Sequence, residues 1–245
     1  MKNLFEQSRS HWVRYDHYEL KTAKDGKRYI TPGKDAKPEV YNPLKVVPDI
    51  VLDALNVGML MMGRKPAAEV ERAVLEFVTR YGLLGMMTAL PTTPAFMDEP
   101  MAKTMSFQRQ YAEPYDWVAQ QFKDWAFTLT TSILYYQDYH LIDQDTRELY
   151  QKAMAAFGGI APGYHIELLD KPTIYWDFHS LLLGIQMMFS FMLVYEEHPL
   201  RLCKNCQKVF LGSHVNTTFC SPQCKNQYNV HKNREKAKGK SEENE

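Results

Sequence analysis

No cysteine occurs before residue 203, so thiol chemistry is confined to the last fifth of the 245 residues. Neither sign of charge prevails. With 29 basic and 29 acidic side chains, the whole molecule has no electrostatic preference for nucleic acid or for a membrane surface. A glycine-rich phosphate loop, a Gly-x-Ser-x-Gly nucleophile elbow and a His-Glu-x-x-His metal motif are all missing, and there is no internal repeat, so the expectation is a protein without a catalytic centre. An export signal is missing too: Glu6, Gln7, Ser8 and Arg9 stand where a signal peptide needs an apolar run. The most apolar stretch, 178–195, is broken by His179, Ser180, Gln186 and Ser190. Of these, His179, Gln186 and Ser190 share one narrow helical stripe with Glu197, which suits a buried helix with a polar edge better than a membrane span. A cytoplasmic location follows as the expectation, and there clustered cysteines stay reduced and bind metal rather than forming disulfides.

What is present fits a globular protein. The chain is 45% hydrophobic, 13% aromatic and 24% charged, which excludes disordered, collagen-like and coiled-coil classes. Residues 1–47 form an aromatic-rich region in which 18–30 reads as two short strands around Lys24-Asp25-Gly26-Lys27, a tight β-hairpin turn. From 48 to 199 the period becomes helical. Helices are predicted over 48–62, over 66–81 with Gly82 just beyond, from Pro114 through Val118, Phe122, Trp125, Leu129, Ile133 and Tyr136, and over 143–157. Residues 91–113, with Pro91, Pro94 and Pro100, read as a lid or as a loop concealing a helical turn. Residues 164–169 read as one strand, and Pro172 or Thr173 is expected to open a long apolar helix ending near Glu197. The expected fold class is therefore mainly α (α+β): a helical body, a small N-terminal β-hairpin, and a separate C-terminal module over 200–236 with a disordered tail at 237–245.

That last module concentrates charge as well as sulfur. Residues 201–245 hold nine of the 29 Lys/Arg but four of the 29 Asp/Glu, leaving this segment net positive and the remainder net negative. Its cysteines are spaced Cys203-x2-Cys206-x13-Cys220-x3-Cys224. A Cys-x-x-Cys turn presents two sulfurs from one bend, and the second pair arrives at a helix start, with Ser221 as N-cap, Pro222 in the first position and Cys224 in the first turn. Four thiolates of this spacing match a tetrahedral Zn2+ site. His214 and His231 are alternative ligands, but four thiols already complete the shell. The intervening segment is expected to form a hairpin with arms 208–211 and 217–219, Phe210 and Phe219 supplying its apolar layer.

Knuckle, hairpin and ligand-bearing helix resemble a treble-clef zinc finger. The stretches Cys203-Lys-Asn-Cys-Gln-Lys-Val-Phe and Phe219-Cys-Ser-Pro-Gln-Cys-Lys-Asn are similar to the C-terminal finger of bacterial CGNR-type zinc-finger proteins, although Cys224-Lys225-Asn226-Gln227 stands where that family has Cys-Gly-Asn-Arg. The resemblance covers about 40 residues, and it implies DNA binding and transcriptional regulation. On a helix from Pro222, Lys225, Asn229, Lys232 and Lys236 recur at spacings of 4, 3 and 4, with Arg234 flanking, so these are the candidate contacts to double-stranded DNA. The helical body is then a sensor for a small-molecule effector or a surface for a protein partner, with twelve of the chain's thirteen methionines offering a soft lining. The competing reading is a zinc-stapled interaction or structural module that never meets nucleic acid. Asp138 with His140, Asp177 with His179, and Glu196-Glu197-His198 each set an acid near a histidine, and none has a catalytic constellation around it.

Overall fold

Short strands rich in aromatic and β-branched residues build the first layers of the chain. The computed structural model describes residues 8–24, 26–85, 112–137, 139–156, 162–178, 180–195, 197–214 and 216–242. In chain order the strands are β1 (Ser8–Arg9), β2 (Trp12–Tyr15), β3 (Tyr18–Thr22), β4 (Arg28–Pro32), β5 (Pro38–Tyr41), β6 (Glu113–Pro114), β7 (Gly163–Leu168), β8 (Pro172–Asp177), β9 (Leu200–Leu202) and β10 (Val209–Leu211). The helices are α1 (Asp49–Met62), α2 (Ala67–Tyr81), α3 (Tyr115–Gln137), α4 (Gln144–Ala156), α5 (Leu181–Val194) and α6 (Pro222–Glu242). The architecture is α+β with small sheets, and it divides into two compact units, Met1–Phe191 and Met192–Glu245.

In the first unit the sheets run β1-β8-β7, β2-β5 and β3-β4-β6, antiparallel except for β1 beside β8. The β3–β4 hairpin forms as the sequence predicts: Gly26 adopts φ +80 and donates to the Ala23 carbonyl at 2.9 Å. Helix α2 buries Val70, Val74, Phe77, Val78 and Tyr81, the stripe its periodicity draws, and ends at Gly82. Helix α3 crosses α1 closely, and the edge-to-face pair Phe77–Phe122, 4.7 Å between centroids, joins α3 to α2. Strand β2 is tied to the end of α2 by Arg14, which donates to the Arg80 carbonyl at 2.6 Å.

Three expectations need correction. The long helix from Pro172 does not exist: 172–177 is strand β8, and α5 spans only Leu181–Val194. Thr173-Ile174-Tyr175-Trp176 is β-branched and aromatic, it alternates between buried and more exposed positions, and it pairs with β7 over six residues, so cross-strand pairing outweighs the apolar content read as helix. The polar stripe of that helix dissolves with it. Gln186 and Ser190 remain on α5, where the Ser190 hydroxyl donates to the Gln186 carbonyl, while Glu197 lies beyond the helix. The α3 stripe is buried only through Leu129; Ile133 is half-buried and Tyr136 faces solvent. Residues 91–111 of the expected loop, Phe157 to Gly159, Asp138, His179 and Glu196 lie outside the described residues. Among the described residues no helix is long and apolar enough to cross a membrane.

Candidate metal centre

In the second unit two short strands set up the sulfurs. Strands β9 and β10 pair antiparallel, Leu202 against Val209 and Leu200 against Leu211, and the Cys-x-x-Cys turn joins their ends. The hairpin expected between 208–211 and 217–219 is thus replaced by one between Leu200–Leu202 and Val209–Leu211, with 217–219 irregular. The physical reason is local: the knuckle itself is the hairpin turn, closed by Cys203 N–H to the Lys208 carbonyl and Gln207 N–H to the Cys203 carbonyl, both 2.9 Å. The buried apolar layer is Leu200 and Val209, while Phe210 and Phe219 are half-buried. Phe219 leans on Tyr228 of α6, 5.3 Å between centroids.

The second sulfur pair is delivered as the cap reading expects. The Cys224 N–H donates to the Ser221 hydroxyl at 3.2 Å, and α6 begins at Pro222. Two further ties fix the knuckle: Lys204 N–H to the Thr218 carbonyl at 3.0 Å, in the segment that leads into α6, and the Asn205 amide to the Gln227 side-chain carbonyl on α6, also 3.0 Å. Asn205 is a contributor that sequence reasoning passed over. It sits inside the Cys-x-x-Cys turn, but nothing in the spacing says that its side chain reaches α6.

The outcome is a cluster. The Sγ atoms of Cys203, Cys206, Cys220 and Cys224 all lie within 4.8 Å of one another, with Cys206–Cys220 at 3.7 Å and Cys220–Cys224 at 3.5 Å. A tetrahedral shell with metal–sulfur bonds of about 2.3 Å sets its sulfurs about 3.8 Å apart, so the four thiols fit one metal ion. Cys203 is buried and Cys224 half-buried; Cys206 and Cys220 are exposed. His214 takes no part, its Nδ1 lying 3.0 Å from the Thr217 hydroxyl, and His231 is exposed along α6.

The four thiols differ in how firmly they hold their protons. At Cys203 burial opposes ionisation, but the backbone N–H groups of Cys206, Cys220 and Asn205 outweigh it and bring the pKa down to about 6. Cys224 is also lowered, first by the Ser221 hydroxyl and then by Asn205. Cys220 is pushed up to about 12, by burial and then by its bonds to neighbouring sulfurs, and Cys206 is raised by burial. Backbone and hydroxyl donors thus favour the thiolate at Cys203 and Cys224, while burial favours the protonated thiol at Cys206 and Cys220. A divalent ion at the centre of the cluster would stabilise all four as thiolates.

The candidate nucleic-acid contacts all lie on α6. Lys225, Asn229, Lys232 and Arg234 are exposed, and Lys236 follows on the same helix, its side chain outside the described residues. At about 100° per residue, Lys225, Asn229, Lys232 and Lys236 occupy an arc of about 60°, whereas Arg234 stands about 180° from Lys225 and cannot join the same face. Helix α6 continues to Glu242, past the 236/237 boundary drawn from the sequence. In the first unit, Asp177 pairs across the sheet with His165, 2.8 Å away, a partnership that only the β7–β8 register could reveal. Comparison with protein-family models, curated proteins and solved structures finds no match to this chain.

Proposed function

We propose that the four cysteines bind Zn2+ and that the resulting treble-clef-like finger presents α6 to double-stranded DNA, the protein acting as a transcriptional regulator whose body senses an effector or mediates assembly. The observation that carries this reading is the pairing of a complete four-thiol cluster with the exposed Lys225, Asn229 and Lys232 along one side of the same helix. Four protein ligands leave no coordination position for a reactive water, so the metal here is a structural staple. Lysines at 225, 232 and 236 suit phosphates, and Asn229 between them suits a base edge. The second reading, a zinc-stapled interaction module, draws on Arg234, whose position opposite the arc distributes positive charge around the helix rather than along one side.

Fluorescence anisotropy with a mixed-sequence DNA duplex separates the two readings. Binding is expected at low salt, falling steeply as salt rises; K225A/K232A/K236A should weaken it and flatten the plot of log affinity against log salt by roughly 2 to 3, the share of three phosphate contacts. No detectable binding at low salt, or affinity indifferent to the triple substitution, contradicts the DNA reading and favours the interaction module.

A further inference from the structure

The β7–β8 hairpin turns an apolar face outward. Its register sets Tyr164 against Trp176, Ile166 against Ile174 and Leu168 against Pro172. Tyr164, Ile166 and Leu168 are 64%, 61% and 83% exposed, while the opposite face packs inward through buried Thr173 and Tyr175. In the order β1-β8-β7, strand β7 is outermost, and among the described residues no strand pairs with its free edge. Exposed edges are ordinarily protected by Lys, Pro or a bulge. The β7 sequence Gly-Tyr-His-Ile-Glu-Leu contains neither residue, and its six pairs with β8 run without a bulge.

We infer that β7 is a dimerisation edge, pairing antiparallel with β7 of a second copy about a two-fold axis at Ile166. The strand's own pattern selects that occupant. With Ile166 facing Ile166 of the second copy, Tyr164 lies opposite Leu168 and His165 lies opposite Glu167, each pair occurring twice. Like meets like on the apolar face and opposite charges meet on the other. Other registers lose this match. A shift by one residue sets the apolar face beside the polar one, and a shift by two brings His165 onto His165 or Glu167 onto Glu167, like charges directly opposed. His165 is readied as the cation, because hydrogen bonds to Asp177 and then Glu167 raise its pKa. A two-fold axis makes such an interface self-complementary and closed, so pairing stops at two copies.

Sedimentation equilibrium of the full-length protein under reducing conditions tests this without reference to metal or DNA, so its failure would leave the finger reading standing and the reverse. The wild type is expected to show a concentration-dependent monomer–dimer equilibrium. E167K, which sets a lysine opposite each His165, should raise the dimer Kd about tenfold or more. The exchanged variant H165E/E167K, combined with D177N so that the new carboxylate does not face Asp177, restores opposite charges in inverted order and should return Kd to within about threefold of wild type. I166K places like charges face to face on the axis and should leave monomer. All three β7 positions are exposed or half-exposed, and far-UV circular dichroism is the check that each variant keeps its fold. A wild type monomeric at every concentration, a dimer as tight in E167K as in wild type, or failure of the exchanged variant to recover overturns the inference, as does β7 capturing foreign peptides without self-association.

Discussion

Glu113 is a carboxylate with no solvent exposure, held by two backbone donors: the N–H of Leu84 at 2.9 Å and the N–H of Gly85. Burial pushes its pKa up to about 7, although both backbone bonds act to lower it. The unfolded chain therefore releases this proton at lower pH than the folded one. The contribution of Glu113 to stability is fully present below about pH 4.5 and is lost as pH rises through about 7, a change of about 3 kcal/mol at 1.36 kcal/mol per unit. Urea unfolding at pH 4.5 and pH 7.5 checks it. Glu113→Gln, which cannot ionise, should reduce the loss of stability between those pH values by about that amount, and an unchanged difference would show that the carboxylate is not buried as described.

Between elements, α1 and α3 approach each other closely. A Cβ placed on Gly58 would lie 2.0 Å from the Phe122 carbonyl oxygen and 2.6 Å from the Ala126 Cβ, so the helices meet through bare backbone. Gly58→Ala should cost about 1 to 3 kcal/mol, read as a lowered thermal midpoint of the first unit. A neutral Gly58→Ala would mean that the helices separate freely there. That contact is not legible in the sequence, whereas α2 is, because its buried positions repeat with the helical period and Gly82 punctuates its end. The knuckle cysteines and the Ser221 cap were legible for a similar reason: their geometry is set by neighbours within four residues. Strand β8 was misread because its stability comes from β7 and β1, and cross-strand partners leave no mark on the strand's own composition. The same holds for the β9–β10 pairing, where a turn of plausible length suggested the wrong arms.

On the scale of the whole molecule, the chemistry is divided unevenly. The unit Met1–Phe191 is built around aromatic and aliphatic packing, while among the described residues Met192–Glu245 buries few apolar side chains, Met192, Leu200 and Val209, and holds all four thiols. A module this small cannot offset its chain entropy by burial alone, so its order is expected to depend on the metal. Removing that metal with a strong chelator should abolish the helical signal of α6 and leave the first unit folded. The most direct test is metal analysis of protein purified under reducing conditions, paired with a variant in which Cys203 and Cys224 are both serine. One zinc per chain in the wild type and none in the variant is the predicted result. Wild-type protein with no stoichiometric metal, and a second unit that keeps its fold without it, would contradict the account at its centre.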